Sequence, residues 1–196
     1  SGLAPASDGS VAIGHRVVAK LSRVEVAKRF MEPAPKDILK RLVETGKITP
    51  EQADLAAKVP MADDITVEAD SGGHTDNRPL VSMMPSMLLL RDQIQAERGY
   101  AEPVGIGAAG GISTPEGALA AFALGADYVV TGSVNQACVE SGTSAKVKQL
   151  LAQAASTDVA MAPAADMFEM GVRVQVLKRG TLFAPRAQKL YELYSH

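Results

Sequence analysis

The sequence has few of the features that mark disulfide-rich, membrane-spanning or nucleic-acid-binding proteins. It contains one Cys and no Trp among 196 residues, and aromatic residues make up only 4% of the chain. A single Cys excludes a disulfide-stapled scaffold and a zinc site built from several cysteines. No run of about 18 apolar residues is present, so no membrane span is expected. The chain opens without the basic and apolar segments of a signal peptide, and we expect a cytoplasmic protein.

The charges are nearly balanced, which gives no reason to expect a nucleic-acid partner. Twenty Lys and Arg residues stand against 22 Asp and Glu, for a net charge of −2, and interleaved stacking aromatics are absent. What the chain does have is 46% hydrophobic residues, with 17 Gly and 11 Pro. This composition is typical of a folded globular chain, and the length is typical of one domain.

An alternation of short apolar runs and helical stretches predicts repeated strand–helix units over residues 17–140. Strands are expected at 17–22, 64–69, 104–109 and 128–131. This order is typical of an α/β fold with parallel strands and right-handed crossovers. Short apolar strands that end in polar or Gly-rich loops occur in barrels and in doubly wound sheets.

Three segments are predicted to lie outside this alternation. Residues 1–16 are small, polar and Gly/Pro-rich, and we interpret them as a leader or loop. Residues from about 35 to 60 are predicted to be a helical insertion, whose second helix opens with a capping box at Thr49 and Gln52. Residues 141–196 are predicted to form a mainly helical C-terminal extension.

Two Gly-rich turns follow the third and fourth predicted strands. Gly110-Gly111 and Gly132-Ser133 lie about one strand–helix unit apart. Glycine lets backbone N–H groups approach phosphate oxygens closely, and a following helix N-terminus favours an anion. The loops after the last two strands of a parallel barrel often build such a site. One Gly-Gly turn would be ordinary, but two at this separation indicate a phosphate site.

Residues 105–110 also match the G-x-G-x-x-G fingerprint of dinucleotide-binding proteins. That fingerprint should follow a strand and open a helix directly. Here its first glycines fall inside a predicted strand, and the helix starts only near Pro115. We therefore interpret the match as chance.

His74 and Lys20 are the two side chains whose positions in the sequence suggest a chemical role. His74 follows Gly72-Gly73 at a predicted strand end, where barrel enzymes place catalytic residues, and imidazole exchanges protons near neutral pH. The polar residues around it have little packing reason to follow a buried strand. Lys20 lies near the end of the first strand, where a cation can stabilise charge on a cofactor ring. An exposed strand-end lysine is an equal alternative.

Basic residues are concentrated near the C-terminus. Five Lys and Arg residues occur between positions 170 and 191, with no acidic residue among them. A solvated face is the simpler interpretation, and a docking surface for an acidic or phosphate-bearing carrier is the alternative. Cys138 is not expected to be a nucleophile.

Segments 68–79, 107–112 and 131–136 closely resemble the trans-acting FMN-dependent enoyl reductases of polyunsaturated fatty-acid synthases and of polyketide synthases with free-standing acyltransferases. Segments 160–168 and 177–181 fit the same group, so the resemblance covers almost the whole chain from about residue 17. The wider nitronate monooxygenase-like superfamily is similar only in its shorter Gly-Gly-His and Gly-Gly signals.

The resemblance implies a TIM-barrel enzyme that binds flavin mononucleotide (FMN) and is reduced by NAD(P)H. Its substrate would be an enoyl thioester held on an acyl carrier protein. His74 matches the active-site histidine, as donor to the thioester carbonyl or as proton source at the α-carbon, and Asn77 is a weaker match. The residues that the resemblance implies for cofactor binding are Gly72, Gly73, Gly110, Gly111, Gly132, Ser133 and, more weakly, Lys20.

The four predicted strands match only the last four strands of that barrel, strands five to eight. The first half, which in the family supplies contacts to the flavin ring, has no counterpart in this sequence. Four strands cannot close a barrel, and an open half exposes strand edges. We expect the sequence to be one part of a longer chain. There are two alternatives. The sequence could be a proteolysed remnant, or it could be a half that pairs with another half in a homodimer or in a partner protein.

Two other functions remain open. One is flavin-dependent nitronate oxidation, with His74 as the base that removes an α-proton. The other is a non-catalytic fragment that docks a carrier protein through the basic C-terminal stretch.

Overall fold

The structure, a computed structural model, describes residues 2–196, which form eight strands and eight α-helices. The strands are β1 (Leu3–Pro5), β2 (Val11–Ile13), β3 (Val18–Leu21), β4 (Asp64–Glu68), β5 (Gly105–Ala109), β6 (Tyr128–Val130), β7 (Val159–Pro163) and β8 (Arg173–Leu177). The helices are α1 (Val24–Met31), α2 (Lys36–Glu44), α3 (Pro50–Ala56), α4 (Leu80–Arg98), α5 (Pro115–Ala123), α6 (Ser133–Ala137), α7 (Ala145–Ala152) and α8 (Phe183–Tyr194). Among the described residues, none of the helices is both long and apolar enough to cross a membrane.

The central feature is a four-stranded parallel sheet in the order β3-β4-β5-β6. Each successive strand is reached through one or more helices, so the strand–helix alternation predicted from the sequence is confirmed. The four predicted strands agree with the observed ones to within one residue at each end. The carboxyl ends of all four strands therefore meet at one edge of the sheet.

One face of this sheet forms the hydrophobic core. Side chains such as Ile65, Val67 and Ile106 are fully buried there, against methionines of α1 and α4. Residues paired side by side in neighbouring strands share a face, because side chains alternate along each strand. The period-two burial of β3, with Ala19 and Leu21 buried, follows from this packing.

The opposite face carries small and polar side chains. Lys20, Thr66, Gly107 and Tyr128 are paired in one row across the four strands. Val18, in the same face at one edge, is 57% exposed. In the described residues 2–196, the helices α1 and α4 pack against the other face and not against this one.

The glycines of the G-x-G-x-x-G match are packing residues of β5. A Cβ added at Gly107 would overlap the ring of Tyr128, and one at Gly105 would overlap the carboxylate of Asp64. The hydroxyls of Thr66 and Tyr128 lie 2.8 Å apart and hold that ring across β5. Both glycines lie inside the strand and α5 begins only at Pro115, which agrees with the interpretation of the match as chance.

The predicted insertion is a pair of helices, α2 and α3. The capping box at the start of α3 is present: Gln52 N–H donates to Thr49 Oγ1 and Thr49 N–H donates to Gln52 Oε1, both at 3.1 Å. The following helix, α4, runs from Leu80 to Arg98 and contains Pro85. Burial of Met83 and Met84 in the core outweighs the cost of the proline inside this helix.

Two hairpins correct the predictions for the ends of the chain. The loop expected over residues 1–16 contains the antiparallel pair β1–β2, because Asp8 accepts hydrogen bonds from Ser10 and Gly9 takes a φ of +82° in the turn. The C-terminal extension, expected to be mainly helical, contains the antiparallel pair β7–β8. The alternation of valines with polar residues over 172–176 is the period-two pattern of a half-buried strand.

The packing of Gly107 under Tyr128 predicts a selective loss of stability. Gly107→Ala should lower the free energy of unfolding by about 1–3 kcal/mol, because the new methyl group forces the ring or the strand to move. Gly142→Ala is the matched control, since Gly142 is exposed and a Cβ there meets nothing within 4 Å. Denaturant unfolding of both variants measures the difference, and equal stabilities would contradict this packing.

Candidate functional site

A cleft of about 390 Å³ lies at the carboxyl edge of the parallel sheet. Lys20 of β3 and the loops after β4, β5 and β6 contribute to it, together with the start of β7 and the middle of β8. Ligands of α/β proteins bind at this edge, where loops of several strands converge. The residues predicted for cofactor binding that line the cleft are Lys20, Gly72, Gly110, Gly111, Gly132 and Ser133.

The turn after β5 requires its two glycines. Gly110 and Gly111 have φ values of +102° and +69°, in the region that favours glycine. A Cβ at Gly110 would lie 2.6 Å from the carbonyl oxygen of Ala69, so the chain packs directly against the backbone after β4. The turn is thus shaped by close approach of two backbones.

Four backbone donors are free at this edge. Within residues 2–196, the N–H groups of Gly110, Gly111, Gly132 and Ser133 donate to no protein acceptor. Gly72 approaches the second turn, since a Cβ there would lie 3.4 Å from Ser133 Oγ. Unpaired N–H groups between two glycine turns suit an anion such as a phosphate group.

Lys20 lies in the cleft but is already paired. Its Nζ lies 2.7 Å from Glu68 Oε1, and both side chains line the cleft. A negatively charged ligand would therefore compete with Glu68 for this cation. Asn77, the weaker match, is not among the lining residues; it has a φ of +54°, and its N–H donates to Thr75 Oγ1 at 3.0 Å.

The polar loop after β4 is fastened to the C-terminal hairpin. Gly73 and Gln175 exchange two backbone hydrogen bonds of 2.8 Å. The Gln175 side chain donates to Asp70 Oδ1 at 2.9 Å and to the Ser71 carbonyl at 2.8 Å. Gln175 is a site residue that the sequence reasoning missed, because only the fold brings β8 to this loop.

His74 lies beside the cleft rather than in its lining. Its Nε2 lies 3.1 Å from Asp166 Oδ2, in the connection between β7 and β8, and its side chain is 44% exposed. The hydrogen bond from His74 lowers the pKa of the Asp166 carboxyl below its ordinary value. With one ring nitrogen held by a carboxylate, the other is left for a ligand. Asp166 was not predicted, since nothing in the sequence links positions so far apart.

These features define an α/β protein with a ligand cleft at the carboxyl edge of a parallel sheet and a histidine–carboxylate pair beside it. The family model described as nitronate monooxygenase matches residues 15–190. The chain belongs to this family.

Relatives with curated names come from fatty-acid and polyketide biosynthesis. A polyunsaturated fatty acid synthase protein of Thraustochytrium sp. is 54% identical over 196 residues, which are 99% of this chain and 10% of that protein. Polyketide biosynthesis protein PksE of Bacillus subtilis is 54% identical over 187 residues, 95% of this chain and 24% of that protein. The resemblance seen in the sequence is confirmed, and the chain spans a quarter or less of these two relatives.

Two solved structures are similar to this chain over most of its length. The enoyl reductase domain of MlnA from the macrolactin cluster of Bacillus amyloliquefaciens matches with a TM-score of 0.92 and 46% identity, over 98% of this chain and 43% of that one. FabK from Thermotoga maritima matches with a TM-score of 0.57 and 22% identity, over 91% of this chain and 43% of that one. The second likeness shows the fold alone.

The pairing of His74 with Asp166 predicts a change in the titration of the carboxyl. His74→Ala should raise the pKa of Asp166 toward its ordinary value, since the hydrogen bond from His74 is the main cause of the lowering. Carboxyl-detected NMR titration measures this shift. Asp158 serves as internal reference, because its pKa is lowered mainly by the Ala155 N–H. A pKa of Asp166 unchanged by the substitution would contradict the pairing.

Proposed function

We propose that this chain forms half of an FMN-dependent enoyl reductase, which uses NAD(P)H to reduce enoyl thioesters on an acyl carrier protein. The observation that carries the proposal is the pair of glycine turns with unpaired backbone N–H groups, beside a loop that bears His74. The similarity to the MlnA enoyl reductase domain and to the relatives named for fatty-acid and polyketide biosynthesis supports it.

The architecture proposed is the second half of a (β/α)8 barrel, with β3–β6 as strands five to eight. In the described residues β3 and β6 are edge strands, and the face that carries Lys20 and Tyr128 has no covering layer. Four further strands would close the sheet and place that face in the barrel interior. We propose residues 17–140 as this half, with residues 35–60 as its insertion and 141–196 as an extension.

The residues of the cleft fit the phosphate end of FMN. Gly110, Gly111, Gly132 and Ser133 would hold the phosphate through backbone N–H groups and the Ser133 hydroxyl, with no side chain in the way at the glycines. Gly72, in the lining, and its neighbour Gly73, which is outside the lining, would border the flavin, and Lys20 would face it from β3. A bound flavin supplies the hydride for reduction of a carbon–carbon double bond.

His74 is proposed to act on the thioester. Reduction of the double bond adds a hydride at the β-carbon and a proton at the α-carbon. An imidazole N–H of His74 would donate to the thioester carbonyl, which stabilises the negative charge that develops there, or would supply the α-proton. Asp166 holds the ring through Nε2 and thereby fixes its orientation.

An acyl carrier protein is the partner that this function requires. The relatives named as fatty acid synthase and polyketide biosynthesis proteins support such a partner. A homodimer and a cytoplasmic location remain predictions from the sequence.

The direct test uses the whole protein as its gene encodes it. We expect a yellow protein with the visible absorption of a flavin, which oxidises NAD(P)H when an enoyl thioester on a carrier protein is added. The product, measured by mass spectrometry, should be heavier by two hydrogens. A colourless protein without reductase activity would overturn the proposal.

Replacing the histidine separates chemistry from cofactor binding. His74→Ala should lower the turnover number by about 100-fold to 10,000-fold, the usual contribution of a positioned proton donor. Bound flavin, measured by absorbance per protein, should be unchanged because His74 does not line the cleft. His15→Ala, at an exposed position in the N-terminal region, is the control and should keep full activity. Retained turnover in His74→Ala would remove its catalytic role.

Nitronate oxidation is a second candidate, favoured by the description of the family model. The same histidine–carboxylate pair can accept an α-proton from a nitroalkane, with Asp166 stabilising the imidazolium. Oxygen consumption on addition of a nitroalkane, without NAD(P)H, distinguishes this activity from enoyl reduction.

A further inference from the structure

A second, larger cavity lies between the C-terminal hairpin and α8. Its volume is about 640 Å³, within the range of pockets that bind small molecules. The lining residues are Pro163, Ala165, Phe168, Leu182, Phe183, Arg186, Ala187 and Leu190. All but one of these are apolar, and Arg186 is exposed, so its charged end can remain in water while its stem lines the cavity.

The cavity and the cleft lie at opposite ends of β7. Val159, the first residue of the strand, lines the cleft, and Pro163, the last, lines the cavity. Four residues of extended chain separate them by about 13 Å. The cleft and the cavity thus share one short strand, β7, as part of their walls.

The loop that bears His74 connects the two. Gly72 lines the cleft, and His74 binds Asp166, whose neighbour Ala165 lines the cavity. Gly73, between them, is fixed to β8 by its two hydrogen bonds with Gln175. The lining of the cavity therefore includes the residue next to the carboxylate that binds His74.

We propose that this cavity binds the acyl chain of the enoyl thioester, with the thioester carbonyl at His74 and the hydrocarbon tail against α8. The inference rests on the proposed function and names the part of the substrate that the C-terminal extension recognises. Hydrocarbon suits a lining that is apolar at seven of its eight residues. The site would therefore favour thioesters with longer hydrocarbon chains.

The alternative occupant of the cavity is the pantetheine arm of the carrier. That arm carries two amide groups, which need hydrogen-bond partners when they leave water. The lining offers no uncharged polar side chain to either amide. Two exposed apolar residues of the lining, Leu182 at 60% and Leu190 at 59% exposure, also favour hydrocarbon over amides.

The test is a series of enoyl thioesters that differ only in chain length, given to the whole protein with its flavin bound. We expect kcat/KM to be higher for an octenoyl than for a crotonyl thioester of the same thiol. Ala187→Leu fills the cavity and should lower kcat/KM for the octenoyl substrate by about tenfold or more, while crotonyl turnover stays within about twofold. Ala184→Leu, on the same helix and half-buried but outside the lining, should change neither.

A binding measurement keeps the inference separate from the proposed function. By calorimetry, saturated octanoyl N-acetylcysteamine thioester should bind more tightly than the butanoyl form, and Ala187→Leu should abolish the difference. Octanoyl binding without any enoyl turnover would overturn the function alone. Normal crotonyl turnover with no effect of Ala187→Leu on octenoyl substrates would overturn the cavity assignment alone.

A further variant covers the case in which Ala187→Leu fails to fold. Leu190→Ala enlarges the cavity from the same helix and should raise kcat/KM for thioesters longer than octenoyl relative to that for octenoyl. An unchanged ratio, with the protein folded by circular dichroism, would overturn the assignment. Equal loss with both substrates in either folded variant would do the same, since it would indicate a structural role only.

Discussion

The site depends on one set of hydrogen bonds, those that join the loop after β4 to Gln175 of β8. Two backbone bonds with Gly73 and two side-chain bonds, to Asp70 and to the Ser71 carbonyl, fix the hairpin against the carboxyl edge of the sheet. These hydrogen bonds hold the hairpin beside the loop and so bring Asp166 within hydrogen-bonding distance of His74. The cleft would also lose part of its wall, since Gln175 and Val159 belong to the hairpin.

The two faces of the parallel sheet differ in composition: one forms the hydrophobic core, and the other carries mainly small and polar side chains. The face covered by α1 and α4 is apolar and supplies the core, so it can form within this chain. The other face is made of small and polar side chains, and its glycines admit Tyr128 and bring the backbones of neighbouring turns close together. In the proposed barrel this face becomes the interior, while the first face packs against the outer helices.

The sequence predicted well what depends on short-range pattern and poorly what depends on distant partners. Short apolar runs located the four strands of the parallel sheet, and the Thr49 capping box located the start of α3. The two turns were predicted from the glycines that follow β5 and β6; Gly110 and Gly111 have positive φ values, whereas Gly132 has a φ of −115°. Asp166 and Gln175 were missed because their partners lie 92 and 105 residues away, and no local signal encodes such a contact. The pairing of Lys20 with Glu68 was missed for the same reason, across neighbouring strands.

The short strand β7 gives the proposed enzyme a physical link between cofactor and substrate recognition. Its first residue borders the cleft proposed for FMN, and its last borders the cavity proposed for the acyl chain. β7 is paired along its whole length with β8, so both of its ends belong to one hydrogen-bonded hairpin. His74 is attached to the same unit through Asp166, and Gly73 through Gln175. In the proposed enzyme, the C-terminal hairpin would therefore carry both the acyl-chain cavity and the partner of His74, while the turns proposed for the phosphate belong to the parallel sheet.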